Sequence, residues 1–239
     1  MRWLDVTSDP NSDVVLDFRR RTLSAARCAP VADRADYLVE IARGKKVLDV
    51  GVAGHQASTR DQESWLHRKI CRSAATCLGI DVLADEIEQL QADGFNVRHA
   101  DITKDSIDET FDVIICGEVI EHLGEPAALF RAAKKLLLPG GLIALTTPNP
   151  YYLPRVRAQL RGRFTESVDH TALLGPSHIA ELAEREGMRL KSYRGVLTPK
   201  EQARSLLGKV TIALRPLLTG VLLDAEAFCY TIIYECTGQ

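Results

Sequence analysis

Val47-Leu48-Asp49-Val50-Gly51-Val52-Ala53-Gly54-His55 is the stretch from which the fold of this 239-residue chain is read. A short apolar run that ends in an acid and then meets two glycines is the pattern of a buried parallel strand running into a tight turn. Gly51 and Gly54 have no Cβ atoms, so the main chain there tolerates unusual φ and lets a ligand approach closely. The turn therefore reads as a cofactor loop at the carboxyl end of the first strand of an open α/β sheet. By itself it would serve NAD, a flavin or another nucleoside alike.

Outward from this loop, strand and helix patterns alternate. Lys46 to Val50 is the first strand, Arg60 to Arg72 has helical polarity, Thr76 to Ile80 is a second strand ended by Asp81, and Asp85 to Ala92 is a helix. Asn96 to Ala100 and Phe111 to Cys116 are the third and fourth strands. Pro126 to Leu138 is a helix stopped by Pro139-Gly140-Gly141, and Leu142 to Thr146 is a fifth strand. Pro176 to Glu186 is a helix, Met188 to Val196 a sixth strand and Ala227 to Cys236 a last one. The alternation predicts a doubly wound, mostly parallel α/β sheet with helices on both faces. Residues 1–44, with Asn11 or Ser12 as a helix cap, are read as a helical cap over the cofactor cleft. Residues 45–239 form the α/β domain, with substrate-side insertions at 151–175 and 199–224.

Composition is that of a globular chain, 46% hydrophobic and 26% charged, with a net charge of -2 that gives no global attraction to nucleic acid or anionic lipid. The six cysteines, Cys28, Cys71, Cys77, Cys116, Cys229 and Cys236, include no CxxC pair. Free thiols in a reducing, cytoplasmic setting are expected from them, rather than a zinc site or a disulfide frame. Acids stand at the N-terminus where a signal peptide would have its apolar core, so no export is expected. Val210 to Leu223 is broken by Arg215, Pro216 and Gly220 and is too short to span a bilayer. Leu206 to Leu223 is read as core packing or a homodimer interface in preference to peripheral membrane contact.

Asp49, Asp81, Asp101 and Glu118 fall at or just beyond the ends of successive strands, so a parallel sheet brings them to the one edge where ligands bind. A single acid there would serve as a helix cap. Four in register point to a ligand. Asp81 is placed for both hydroxyls of a ribose, while Asp101 and the apolar Ile102 suit an adenine amino group and ring face. A pyrophosphate would require the full GxGxxG turn, which Gly51-Val52-Ala53-Gly54-His55-Gln56 misses. A nucleoside with an amino-acid tail needs only room for its ammonium and carboxylate near Asp49 and the Gly51 backbone. That favours S-adenosylmethionine over NAD.

Taken as an ordered set, Val47 to Gly54, Gly79-Ile80-Asp81, Ala100-Asp101-Ile102, Phe111 to Ile114, Glu118 to Leu123 and Leu138 to Leu142 resemble the class I S-adenosylmethionine-dependent methyltransferases. His170, the helix after it and Glu186-Gly187-Met188 look like the end of the subgroup that includes ubiquinone-pathway O-methyltransferases. The resemblance implies a Rossmann-like three-layer sandwich, a seven-stranded sheet whose last strand is antiparallel. It also implies cofactor contacts from Asp49, Gly51, Gly54, Asp81, Val82, Asp101, Ile102, Gly117 and Glu118. The family's loop usually carries glycine where Ala53 and His55 stand, and His55 would touch the cofactor's carboxylate or narrow the entrance.

Methyl transfer from a sulfonium is an in-line displacement, in which positioning supplies much of the rate and a general base helps when the acceptor is a hydroxyl. His122 and His170 are the candidate bases, with Glu121 and Glu118 as orienting carboxylates. The expected acceptor is a small molecule such as a sugar, an isoprenoid or a natural product. Glu118, Glu121, His122 and His170 also resemble the divalent-metal quartet of small-RNA 3′-terminal 2′-O-methyltransferases. Thr171-Ala172-Leu173-Leu174 departs from that pattern, and a metal is not expected. A non-catalytic module that keeps the cofactor fold is the remaining alternative. Arg155, Arg157, Arg161 and Arg163 suit an anionic acceptor or a solvated helix face.

Overall fold

A computed structural model describes residues 2–53, 63–197 and 224–238. Gly54, His55 and nearly all of the 199–224 insertion, including Leu206 to Leu223, lie outside them.

Helix α1 (Asp13–Ala26) is capped by Ser12, whose hydroxyl accepts from Val15 N at 3.4 Å. Helix α2 (Arg34–Ala42) is capped by Asp33, which accepts from Asp36 N at 2.9 Å. Then follow β1 (Lys46–Val50), α3 (Leu66–Ser73), β2 (Thr76–Asp81), α4 (Ala84–Ala92), β3 (Val97–His99) and β4 (Phe111–Gly117). After a single 3₁₀ turn, Ile120–His122, come α5 (Pro126–Leu136), β5 (Leu137–Pro148), α6 (Leu153–Gln159), α7 (Pro176–Arg185), β6 (Met188–Leu197) and β7 (Cys229–Gly238).

The sheet has seven strands in the order β3-β2-β1-β4-β5-β7-β6. β1 to β5 pair in parallel, and β7 runs antiparallel to both β5 and β6, as the sequence resemblance implied. Alternating strand residues feed two cores. Leu48, Val50, Ile114, Cys116, Ile143 and Leu145 pack toward Leu129, Phe130 and Ile179 of α5 and α7. Val47, Val113, Ile115 and Ala144 pack toward Leu38 and Ala42 of α2 and Ile70 of α3. The result is a three-layer sandwich in which the centre of the sheet is sealed on both faces.

Two details depart from the sequence reading. Helix α5 stops at Leu136, and Leu137 already pairs with Phe111 as the start of β5. The register then slips between Phe111 and Val113, so Leu138 to Gly141 bulge outward, with Gly140 at φ +81°, before Leu142 resumes the ladder opposite Val113. The N-terminal segment straddles the β6 edge. Cys28 N and Val31 N donate to Tyr193 O and Gly195 O, both at 2.9 Å. On one side of that edge, Arg19 of α1 clamps Glu181 at 2.8 Å and Glu184 at 3.1 Å on α7. On the other side α2 lies against α3, and only the start of α2 reaches the cleft.

Among the described residues no helix is long and apolar enough to cross a membrane.

Candidate active site

A cavity of about 700 Å³ opens along the carboxyl ends of β1, β2, β3 and β4. Gly51, Asp81, Val82, Asp101, Ile102 and Glu118 all line it. Its size is within the range of sites that enclose a nucleoside-sized ligand. Gly51 has φ +80°, and a Cβ there would collide with Val119 Cγ2, so the turn requires glycine for both conformation and space.

Asp81 is buried, and its two oxygens accept from Ala53 N at 2.9 Å and Leu83 N at 3.1 Å. Each oxygen keeps a further lone pair for a ligand hydroxyl. Asp101 accepts from Thr103 N at 2.9 Å and Thr103 Oγ1 at 2.6 Å, and pairs with Lys104 at 2.8 Å. Although partial burial opposes ionisation, these partners hold its carboxyl below the ordinary value. Ile102 is buried, whereas Val82 leaves 58% of its surface open at the same cavity. An open valine and a buried isoleucine in one cavity lining offer apolar surface to a heteroaromatic ring.

A second cavity of about 250 Å³ shares Val50, Gly51 and Ala53 with the first and is lined also by Arg34, Asp49, His67 and Gly117. Asp49 lies 4% exposed in β1, where its Oδ2 sits 2.8 Å from His67 Nδ1. Burial works against a charged imidazole, yet the contacts with Asp49 and Cys71 raise His67 to about 9. Arg34, the first residue of α2, reaches Glu118 Oε2 at 3.1 Å and Thr146 Oγ1 at 3.4 Å. Glu118 Oε1 accepts from Thr231 of β7 at 3.0 Å. Glu118 is the one non-glycine residue at positive φ (+59°) among the described residues. That strain, on the order of 1 kcal/mol or more, is held by Arg34, Thr231 and the bond from Glu118 N to Thr146 O.

Beyond Glu118, the 3₁₀ turn carries Glu121 and His122. Glu121 is fully buried and neither carboxylate oxygen has a hydrogen-bond partner. Burial, reinforced by repulsion from Glu118, raises its carboxyl to about 7, and the Arg34 charge offsets this only in part. The loop before α7 is stitched to the turn: Thr171 N donates to Glu121 O at 2.7 Å, and Thr171 Oγ1 lies 2.8 Å from Leu123 O. That stitch sets the His170 ring edge-on to His122, with centroids 4.9 Å apart. Asp169 Oδ2 meets His122 Nδ1 at 3.1 Å, and both residues line the large cavity. Burial and the neighbouring His122 lower the pKa of His170, favouring the neutral ring.

Donor atoms of Glu121, His122 and His170 lie within 4.8 Å of one another. Glu118, the fourth member of the quartet weighed from the sequence, is turned to Arg34 and Thr231, so the four do not converge as the chain stands. Arg155 is also committed within the fold, donating to Asn149 O and facing Glu166 at 3.5 Å, while Arg161 and Arg163 are exposed. Arg34, His67 and Asp169 were not among the site residues read from sequence. Asp169 alone had a local signal, its place beside His170; Arg34 and His67 reach the cleft only through the packing of α2 and α3.

The family described as Methyltransferase domain matches residues 19–193. The ubiquinone biosynthesis O-methyltransferase of Pseudomonas fluorescens (strain Pf0-1) is 29% identical over 170 residues, covering 64% of this chain and 68% of that one. Its counterpart in Pseudomonas putida (strain GB-1) is 29% identical over 168 residues, with the same coverage of 64% and 68%. Among solved structures, magnesium protoporphyrin IX methyltransferase from Synechocystis PCC 6803 with bound SAH has a TM-score of 0.56 at 14% identity, covering 100% of this chain and 93% of that one. A SAM dependent methyltransferase from Archaeoglobus fulgidus likewise has a TM-score of 0.56 at 14% identity, covering 94% and 99%. With the sheet order, the cleft at its carboxyl edge and the family match over most of its length, the chain belongs to the methyltransferase-domain family and is an S-adenosylmethionine-dependent methyltransferase.

Proposed function

We propose that the enzyme methylates a hydroxyl group of a small-molecule acceptor such as a sugar, an isoprenoid or a natural product. The observation that carries this reading is the buried, unpartnered Glu121 carboxyl grouped with His122 and His170 at the end of the cofactor cleft. Proton-accepting groups are what a hydroxyl acceptor needs. That relatives are named for O-methylation in ubiquinone biosynthesis supports an oxygen acceptor.

S-adenosylmethionine supplies an electrophilic sulfonium methyl group. Asp81 would hold its ribose hydroxyls, Val82 and Ile102 would flank its adenine, and Asp101 lies within the same cavity for the amino group. Gly51, Gly117, Asp49, Arg34 and Glu118 surround the space for its amino-acid tail, with Gly54 assigned there from the sequence. At the acceptor end, Asp169 accepts from His122 Nδ1, which leaves Nε2 as the atom that would take the proton of an acceptor hydroxyl. Neutral His170 packs against that ring, and the Glu121 carboxylate, with a donor atom within 4.8 Å of both imidazoles, would offset the charge of the imidazolium as it forms. We further assign the enzyme to a reducing, cytoplasmic compartment, on six cysteines that form no disulfide.

A second reading, metal-dependent methylation of an RNA 3′-terminal ribose, draws on the mutual approach of Glu121, His122 and His170. It requires Glu118 to leave Arg34. Incubating the protein with methyl-labelled S-adenosylmethionine and extracts of its source cells, followed by mass spectrometry, separates the readings. Label in the O-methyl group of a small organic molecule, unaffected by EDTA, supports the proposal. Label in RNA that disappears with EDTA supports the second reading, and no transfer to any acceptor contradicts both.

A further inference from the structure

His67 and Cys71 stand one helical turn apart on α3, and Cys77 stands on β2, so two elements bring an imidazole and two sulfurs together. Their donor atoms all lie within 4.8 Å of one another, with Cys71 Sγ 3.4 Å from His67 Nε2. A tetrahedral zinc with Zn–S of about 2.3 Å and Zn–N of about 2.0 Å separates sulfur from nitrogen by roughly 3.5 Å. The observed spacing is already that of a ligand edge. Asp49 supplies the second feature of such a centre. Its Oδ2, 2.8 Å from His67 Nδ1, fixes the ring so that Nε2 points at the sulfurs, the carboxylate–imidazole arrangement found behind metal-ligating histidines. The ring sits in a slot kept open by Gly79, where a Cβ would lie 2.7 Å from His67 Cε1. Trp65 and Phe95 wall it at centroid distances of 5.2 and 5.9 Å. His67 is buried, while Cys71 and Cys77 are partly exposed and leave an entry path.

We propose that His67, Cys71 and Cys77 form a three-ligand site for a zinc-type cation, oriented by Asp49, immediately behind the cofactor loop. Two sulfurs and one nitrogen as donors select zinc over calcium or magnesium, with water completing the fourth position. Asp49 and His67 also line the small cavity that contains Gly51, so the bound cation braces the wall of the tail pocket. The site is independent of the Glu121 cluster and of the identity of the methyl acceptor.

The test uses the full chain, reduced and stripped with a chelator, then titrated with Co²⁺ as a spectroscopic substitute for Zn²⁺. A stoichiometric thiolate-to-cobalt charge-transfer band is expected, bleached by added Zn²⁺. Cys71→Ser and Cys77→Ser should each abolish it, while Cys28→Ser and Glu121→Gln leave it unchanged. Absence of the band in the parent protein, or its survival in both serine variants, would overturn the assignment. Should the serine variants fail to fold, maleimide mapping decides in the parent. Zinc is expected to slow alkylation of Cys71 and Cys77 at least tenfold and that of Cys28 not at all. Unchanged rates at both cysteines would overturn the site.

Discussion

Replacing Glu121 with glutamine should make the protein more stable and less active. In the folded chain burial lifts this carboxyl from 4.5 to about 7. Between those two values the folded state holds a proton that the unfolded state has released, so stability falls as pH rises through that window and levels off above it. At about 1.36 kcal/mol for each pH unit of displacement, the full loss is roughly 3 kcal/mol. Glutamine keeps the shape and cannot ionise. Near pH 8 the variant should therefore gain up to about 3 kcal/mol, which for a chain of this length corresponds to a rise in Tm of roughly 6–12 °C. Near pH 4 the two proteins should differ little. Urea unfolding at a series of pH values gives the slope directly, and a methyl-transfer assay on the same samples should show kcat reduced by about 10²-fold or more. Equal pH slopes in parent and variant, or a glutamine variant that is less stable near pH 8, would refute the assignment of a buried, unpaired carboxylate.

Asp81→Ala should weaken binding of S-adenosylhomocysteine by about 2 kcal/mol, roughly 30-fold in titration calorimetry, because the ribose loses its charged acceptor. Gly51→Ala forces a Cβ into Val119 at φ +80° and should lower stability by about 1 kcal/mol or more while reducing cofactor affinity, read by thermal melts with and without ligand. Arg34→Ala releases Glu118 and should raise the KM for the cofactor severalfold with a smaller change in kcat, as steady-state kinetics would show.

The strand-end acids were legible in sequence because a parallel sheet delivers every strand's carboxyl end to one edge, so Asp81 and Asp101 needed only their strands to be recognised. Asp49 shows the limit of that reasoning. Its position on the edge is a local property, but its contact with His67 depends on how α3 packs against β1. Arg34 is a further instance, since nothing near it in the chain indicates that α2 begins at the cleft while α1 lies across the β6 edge on α7. Cys71 and Cys77 lack metal-ligand spacing in sequence, and only the turn from α3 into β2 places them beside His67. The early end of α5 came from pairing as well. Leu137 completes the ladder opposite Phe111, and that tertiary bond outweighs the helical pattern that continues to Leu138.

The central claim is that this cleft binds S-adenosylmethionine and that the Glu121, His122 and His170 cluster receives the proton of a hydroxyl acceptor. Single-turnover transfer from methyl-labelled S-adenosylmethionine to the acceptor recovered from cell extract, run with the parent protein and with His122→Asn, tests it most directly. The account predicts label in an O-methyl product and a single-turnover rate reduced about 10²- to 10⁴-fold in the variant, with cofactor affinity unchanged. Label on nitrogen or carbon, or a variant as fast as the parent, would contradict it.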